Sequence, residues 1–158
     1  MLGQYRGKLI MSKKLSLQKL AYLAGFIDGD GSIYVRLKPN NTYKYNYQIA
    51  PFVILFQSKK SEKDFKQICS LIKYGYLRER KDGILEYTIN RQDDIVEFLR
   101  LIQPYLILKK KQAELMIKII QKKKQVKNKS DFIKLVNLID KYRELNYSKN
   151  RKRHNLTP

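Results

Sequence analysis

Between Leu17 and Ile27 the chain carries almost nothing polar; only Gln18, Lys19 and the phenol of Tyr22 interrupt the run. At helical spacing Leu17, Leu20, Ala21, Ala24 and Ile27 make one apolar stripe, and Tyr22, Leu23 and Phe26 make a second. A helix that is apolar on two sides must be covered on two sides, and this one is far too short to span a bilayer. Two coverings are open: the core of a single folded unit, or that core on one face and a second copy of the same helix on the other. Ala21 and Gly25, four apart, leave one face nearly flat, so another backbone can come close. Ser16 is the expected N-cap. The run ends Asp28-Gly29-Asp30-Gly31-Ser32, which sets two carboxylates against the unfavourable end of the helix macrodipole. Such a placement suggests that the carboxylates have a task, such as binding a cation.

The chain of 158 residues is long enough for one real core but not two. Its 34 basic residues against 14 acidic give a formal net charge of +20, which points to a polyanionic partner. Nucleic acid fits better than a membrane, because no long apolar stretch and no secretory signal are visible. The single Cys69 excludes a disulfide within the chain and a cysteine-cluster zinc site, and its helical surroundings suggest a packed thiol. The lone His154 sits in a basic tail and suggests no metal role. Abundant Lys, Ile, Asn and Tyr fit an AT-rich coding sequence of the organelle kind.

In order, residues 1–15 read as a flexible, basic lead and residues 16–147 as one domain, with residues 148–158 as a basic tail. Ser32 to Lys38 alternates, with Ile33, Val35 and Leu37 on one face and Tyr34, Arg36 and Lys38 on the other, which predicts a half-buried strand. Pro39-Asn40-Asn41 supplies a turn into a second strand from about Tyr43 to Gln57, where Tyr45, Tyr47, Ile49, Val53 and Leu55 share a face. Phe52, Ile54 and Phe56 make its other face apolar too, and Pro51 in mid-strand suggests an edge or a bulge. A helix opens at Ser61. Gly75–Arg80 and Ile84–Asn90 flank Lys81-Asp82-Gly83 as a hairpin. Three helices follow, one opened by Asp93 and Asp94 and stopped by Pro104, one over Lys109–Lys124, and one capped by Ser130 and Asp131. This order predicts an α+β domain on an antiparallel sheet. The apolar helix has no repeat in the chain, hence no internal partner.

The nonapeptide Leu23-Ala24-Gly25-Phe26-Ile27-Asp28-Gly29-Asp30-Gly31 resembles the LAGLIDADG motif of the homing endonucleases, with Phe26 for leucine and Gly29 for alanine. The resemblance extends over Leu17–Tyr147, through the Lys38-Pro39-Asn40 turn and the segment Gln103–Ala113, and is to the single-motif branch encoded by group I introns of algal organelles. It implies an αββαββα fold with a four-stranded saddle-shaped sheet and added C-terminal helices. It implies a homodimer whose motif helices pack side by side through Leu20, Ala21, Ala24, Gly25 and Asp28. It assigns metal binding, Mg²⁺ or Mn²⁺, to Asp30 with the Gly29 carbonyl, one Asp30 coming from each subunit. Catalytic roles fall on Asp30, Gln57 and Lys109, the latter two ordering water and balancing charge, while Asp28 is expected to tie helix ends together. The family's further basic helper falls on Ser61, with Lys59, Lys60 or Lys63 as stand-ins.

The resemblance also implies double-stranded DNA, read from the outward face of the sheet. Candidate contacts are Tyr34, Arg36, Lys38, Asn40, Thr42, Gln48, Arg78, Arg80 and Thr88, since Arg pairs bidentately with guanine and Gln or Asn with adenine. Ala50 and Ile54 occupy contacting positions but are apolar, and the lysines of 122–124 and 149–153 are expected to grip phosphate. The leading expectation is a site-specific endonuclease of an organelle, chloroplast rather than mitochondrion. An intron-RNA maturase of the same fold and a basic ribonucleoprotein component are the alternatives; neither needs Asp30, Gln57 and Lys109 together.

Overall fold

The computed structural model describes residues 15–146, so most of the expected leader, Tyr147 and the tail with His154 lie outside the described residues. Ser16 starts the first helix as expected, its hydroxyl accepting the Lys19 N–H at 3.3 Å. Helix α1 runs Leu17–Asp30, strand β1 Gly31–Pro39, strand β2 Tyr47–Ser58 and helix α2 Glu62–Cys69. The hairpin β3 (Tyr76–Glu79) and β4 (Ile84–Ile89) follows, then helices α3 (Gln92–Ile102), α4 (Lys110–Lys124) and α5 (Lys129–Leu145). This is the αββαββα order with two further helices. The four strands form one antiparallel sheet in the order β1-β2-β4-β3.

One face of the sheet is roofed by helices. Leu23, Ala24 and Ile27 of α1 are fully buried with Ile33, Val53, Leu55 and Ile89 of the sheet, and Phe65 of α2, Ile95 and Leu99 of α3 and Met116 of α4 complete the same cluster. Helix α5 closes the open side of β1, where the buried Tyr142 hydroxyl and the Asn146 amide both donate to the Ile33 carbonyl. An edge strand's free backbone acceptor is thereby satisfied rather than exposed. The α5 cap differs from expectation. Asn128, not Ser130 or Asp131, caps the helix, its side chain accepting the Asp131 N–H at 2.9 Å, while the Asp131 carboxylate reaches back to the Lys127 N–H at 3.2 Å.

Strand β2 is central in the sheet and unbulged, but at Pro51 it is a local edge, one of the two expectations for that residue. Its register with β1 is unbroken from Gly31↔Leu55 to Pro39↔Tyr47, with Pro51 opposite Val35. Pairing with β4 begins only at Val53, so at Pro51 the strand has one neighbour and the missing N–H costs no ladder bond. The strand also starts later than the alternation suggests. Asn40 accepts the Thr42 N–H and hydroxyl at 3.0 and 2.7 Å, and Asn46 takes a left-handed φ of 60°; these local bonds hold residues 40–46 as a turn. Tyr45 leaves the ladder and stacks on Phe132 at 4.8 Å. The turn from α1 into β1 needs Gly31, because a Cβ there would stand 2.7 Å from the Ile27 Cα.

Candidate active site and nucleic-acid interface

Both motif aspartates lie in the last turn of α1, and they do different things. The Asp28 carboxylate accepts the backbone N–H groups of Ile107, Leu108 and Lys109 at 2.8, 3.1 and 2.9 Å. It therefore fastens α1 to the start of α4, at the place where unpaired amides need an acceptor. Partial burial pushes its carboxyl upward, but the three amides and the Lys109 charge outweigh this and hold it below the ordinary carboxylate range. Asp30 is exposed and, among the described residues, its carboxylate has no hydrogen-bond or ion-pair partner. Gly29 beside it is exposed, and a Cβ there would meet nothing within 4 Å.

Lys109 and Gln57 are located relative to the end of α1 by a hydrogen bond and by strand register. The Lys109 ammonium donates to the Asp28 carbonyl at 2.6 Å, which leaves two of its three protons to offer. Gly31 pairs with Leu55, so Gln57 lies two residues beyond the point where α1 hands over to β1. The Gln57 amide oxygen accepts the Ser58 N–H at 2.8 Å, and its NH₂ is the group left to donate. Asp30 and Gly29 thus end α1, Lys109, just before α4, bonds to the last turn of that helix, and Gln57 lies two residues along β2 from the partner of Gly31. Ser61, where a basic group was expected, is an exposed residue at the start of α2. Lys59 is held by Glu79 at 2.8 Å, whereas Lys60 and Lys63 are exposed and unpaired among the described residues.

The dimer-face expectation requires correction at three positions. Leu20 and Ala24 are only 8% and 0% exposed; they fall on the inner side of α1, because 100° per residue carries them away from Ala21 and Gly25. The Asp28 carboxylate is committed to the 107–109 turn. What stands outward is Leu17, Ala21, Tyr22 and Gly25, Leu17 being 67% and Tyr22 54% exposed. The Asp28 tether sets Ile107 and Leu108, 84% and 73% exposed, at the C-terminal end of this helix. Their apolar side chains at the head of a helix were a signal the sequence carried and pattern reading passed over.

The other sheet face carries most of the expected DNA contacts. The register sets Tyr34 opposite Phe52, Arg36 opposite Ala50 and Lys38 opposite Gln48, with Thr88 beside Ile54 and Tyr76, and Glu86 beside Phe56 and Arg78. Tyr34 stacks on Phe52 at 5.1 Å. The Arg36 guanidinium lies 5.2 and 5.6 Å from the two ring centres, and the Lys38 ammonium 5.7 Å from that of Phe52. The second apolar face of β2 is thus a floor on which cations rest. Thr88 is only 5% exposed; its short side chain lies below its larger neighbours, so it does not stand out as a contact. Arg78 and Arg80 both reach Glu86, itself nearly buried, and Arg80 also pairs with Asp82 at 2.7 Å. Asn40 and Thr42 bond to each other in the turn. Glu86 and Phe52 were absent from the expected set, although an acid facing two arginines across a hairpin and an aromatic facing Tyr34 could have announced them.

The family model "LAGLIDADG endonuclease" matches residues 23–121. The chain belongs to the LAGLIDADG endonuclease family. It is 36% identical over 143 residues to DNA endonuclease I-CreI of Chlamydomonas reinhardtii, covering 90% of this chain and 87% of that protein. It is 32% identical over 123 residues to DNA endonuclease I-CvuI of Chlorella vulgaris, covering 78% and 76%. The crystal structure of I-CvuI with the I-CreI target in the presence of Mg superposes with a TM-score of 0.80 over 85% of this chain and 86% of that one. The archaeal intron-encoded I-Vdi141I bound to DNA, at 19% identity and a TM-score of 0.75, shares the fold. As a LAGLIDADG protein with one copy of the motif, the chain has the α+β architecture expected of that branch.

Proposed function

We propose that the chain is a site-specific DNA homing endonuclease, acting as a homodimer that makes a double-strand break in a long pseudo-palindromic target and so promotes intron mobility. The relatives named above are DNA endonucleases, and these names lend nothing to an RNA maturase. The observation that carries the reading is Asp30, an exposed carboxylate without a partner among the described residues, at the end of the helix whose flat outer face offers Ala21 and Gly25 to a second copy. Both relatives are algal proteins, which supports an organelle, and the chloroplast is the compartment proposed.

Among the described residues no three His, Cys, Asp or Glu side chains gather, so one chain offers a cation little beyond Asp30 and the Gly29 carbonyl. That donor set suits Mg²⁺ or Mn²⁺, hard ions that accept few protein ligands and keep several waters, and two copies would supply two such carboxylates. When bound, the ion supplies an activated water and neutralises charge on the phosphate. The protein's own groups do the rest. The Gln57 NH₂ can hold a water by donation, Lys109 sets two ammonium protons beside the last turn of α1, and the outer sheet face, with Arg36, Lys38, Arg78 and Arg80, reads base edges in the groove.

The test uses the intronless allele of the gene that houses this reading frame, as linear duplex in Mg²⁺. Wild type cuts it once, while Asp30→Asn cuts it at least about a hundred-fold more slowly and retains sequence-specific binding. Undiminished cutting by that variant would sink the assignment.

A further inference from the structure

We propose that Phe52, with Tyr34, is a positioning residue that holds the Arg36 guanidinium edge-on to the DNA and thereby fixes a guanine preference at one base pair of each half-site. The inference rests on the DNA-reading role proposed above for the outer sheet face and concerns how one part of that face achieves selectivity.

The two rings are direct cross-strand partners, 5.1 Å apart with 22° between their planes, so they form one continuous surface. Arg36 lies two residues along β1 from Tyr34, on the same face. Its own cross-strand partner is Ala50, whose methyl group is too short to support the guanidinium or to obstruct it. The side chain therefore folds back over the rings, at 5.2 Å from Tyr34 and 5.6 Å from Phe52. Arg packs well in this way, because its planar cation is weakly hydrated and is attracted to the ring faces. A guanidinium held against ring faces keeps its N–H groups in its own plane, and those not turned to the Tyr34 hydroxyl can donate. A bidentate match to guanine O6 and N7 needs those groups. An unsupported arginine would have to be ordered at the moment of binding, whereas this one is ordered beforehand. Lys38 lies over the same Phe52 ring at 5.7 Å. Two cations over one short stretch of floor repel each other, so the arrangement favours a polyanion above it.

Sequence preferences are read by selecting bound duplexes from a randomised pool with Ca²⁺ in place of Mg²⁺, using the full-length wild type, Arg36→Ala, Phe52→Leu and Phe52→Tyr. Leucine keeps an apolar group and removes the ring; tyrosine keeps the ring. The expected result is that Arg36→Ala and Phe52→Leu each lose roughly ten-fold in guanine preference at the same base pair of each half-site, with the other positions unchanged, and that Phe52→Tyr restores it. A thermal melt of each variant runs alongside. Retained guanine preference in Phe52→Leu with loss in Arg36→Ala would overturn the positioning role. Uniform weakening by Arg36→Ala on all sequences would overturn it too, by making Arg36 a phosphate contact. A wild-type pool without any preferred sequence would instead overturn the DNA-reading face itself, and this inference with it.

Discussion

Asp28 and Lys109 are joined in both directions: the Lys109 ammonium donates to the Asp28 carbonyl at 2.6 Å, and the Asp28 carboxylate accepts the Lys109 N–H at 2.9 Å. The other carboxylate oxygen, Oδ2, accepts the Ile107 and Leu108 N–H groups, so the end of α1 is bonded to the segment that leads into α4. This joint fixes Lys109 against the last turn of α1, the turn that ends in Asp30. Asp28→Asn keeps the size of the group but loses its charge and one acceptor oxygen. The variant is expected to lose about 1–2 kcal/mol of folding stability and to cut roughly ten-fold or more slowly, since small misplacements of a reacting group are costly. Urea unfolding and single-turnover cleavage check the two effects, and specific binding should change little. A variant that cuts at the wild-type rate would show that Lys109 holds its place without the joint.

The same joint predicts a pH dependence. Asp28 has a folded pKa below the ordinary value of about 3.9, so the folded chain favours its charged form. Its contribution is fully present above that ordinary value and is lost as pH falls through the lower folded one. Wild type is therefore expected to lose more of its urea midpoint between about pH 5 and pH 2.5 than Asp28→Asn does. Other carboxylates are held low as well, Asp93 by Lys124 and Glu62 by Lys66, but both are surface pairs common to the two proteins. Parallel curves for the two would remove Asp28 from the acid transition.

Gly25 gives a clean probe of the subunit pair, because a Cβ there touches nothing in this chain within 4 Å. Gly25→Leu should leave the single subunit foldable, and in helix propensity alone leucine improves on glycine by somewhat under 1 kcal/mol. A second backbone approaching the flat face would meet the new side chain instead. Sedimentation velocity without DNA should show a dimer for wild type and a monomer for Gly25→Leu, and the variant's melting temperature should lose its dependence on protein concentration. A dimeric Gly25→Leu would move the interface away from this face.

Where the pattern is periodic, the sequence announced the structure. The α1 helix, the β1 alternation and the β3–β4 hairpin lie close to where spacing puts them, because 3.6- and two-residue periods report which side is buried. The family resemblance pointed to Asp28 as a tie between helix ends, and its carboxylate holds the 107–109 amides in that way. What could not be read has a physical reason in each case. Leu20 and Ala24 share a stripe with Ala21 in a list of apolar residues, but a few tens of degrees of rotation decide which are buried, and only the packed sheet fixes that rotation. The start of β2 was lost to the bonds of Asn40 and Asn46, which compete locally with the ladder. Its doubly apolar face looked like a fault until the register set Tyr34, Arg36 and Lys38 around Phe52. Cross-strand partners depend on register, which no single strand carries.

Glu86 supports a prediction of a different kind, since it is a nearly buried acid on a face otherwise dominated by cations. Arg78 reaches it as a close ion pair and Arg80 approaches at 3.6 Å. Removing Arg78 alone leaves Arg80 as a partner, whereas removing both leaves a shielded charge with no compensation, which is costly for a group drawn out of water. Arg78→Ala and Arg80→Ala are each expected to lower stability by under about 1 kcal/mol, given how exposed the arginines are. The double variant should lose more than the sum of the two, and the excess should vanish when Glu86 is also changed to Gln. On DNA, each single variant should relax preference at particular base pairs by about 1–3 kcal/mol, and Glu86→Gln should blur the same positions by freeing both guanidiniums to swing. Additive losses in the melts, together with unchanged base preference in Glu86→Gln, would show that the acid only balances charge and does not aim the two arginines.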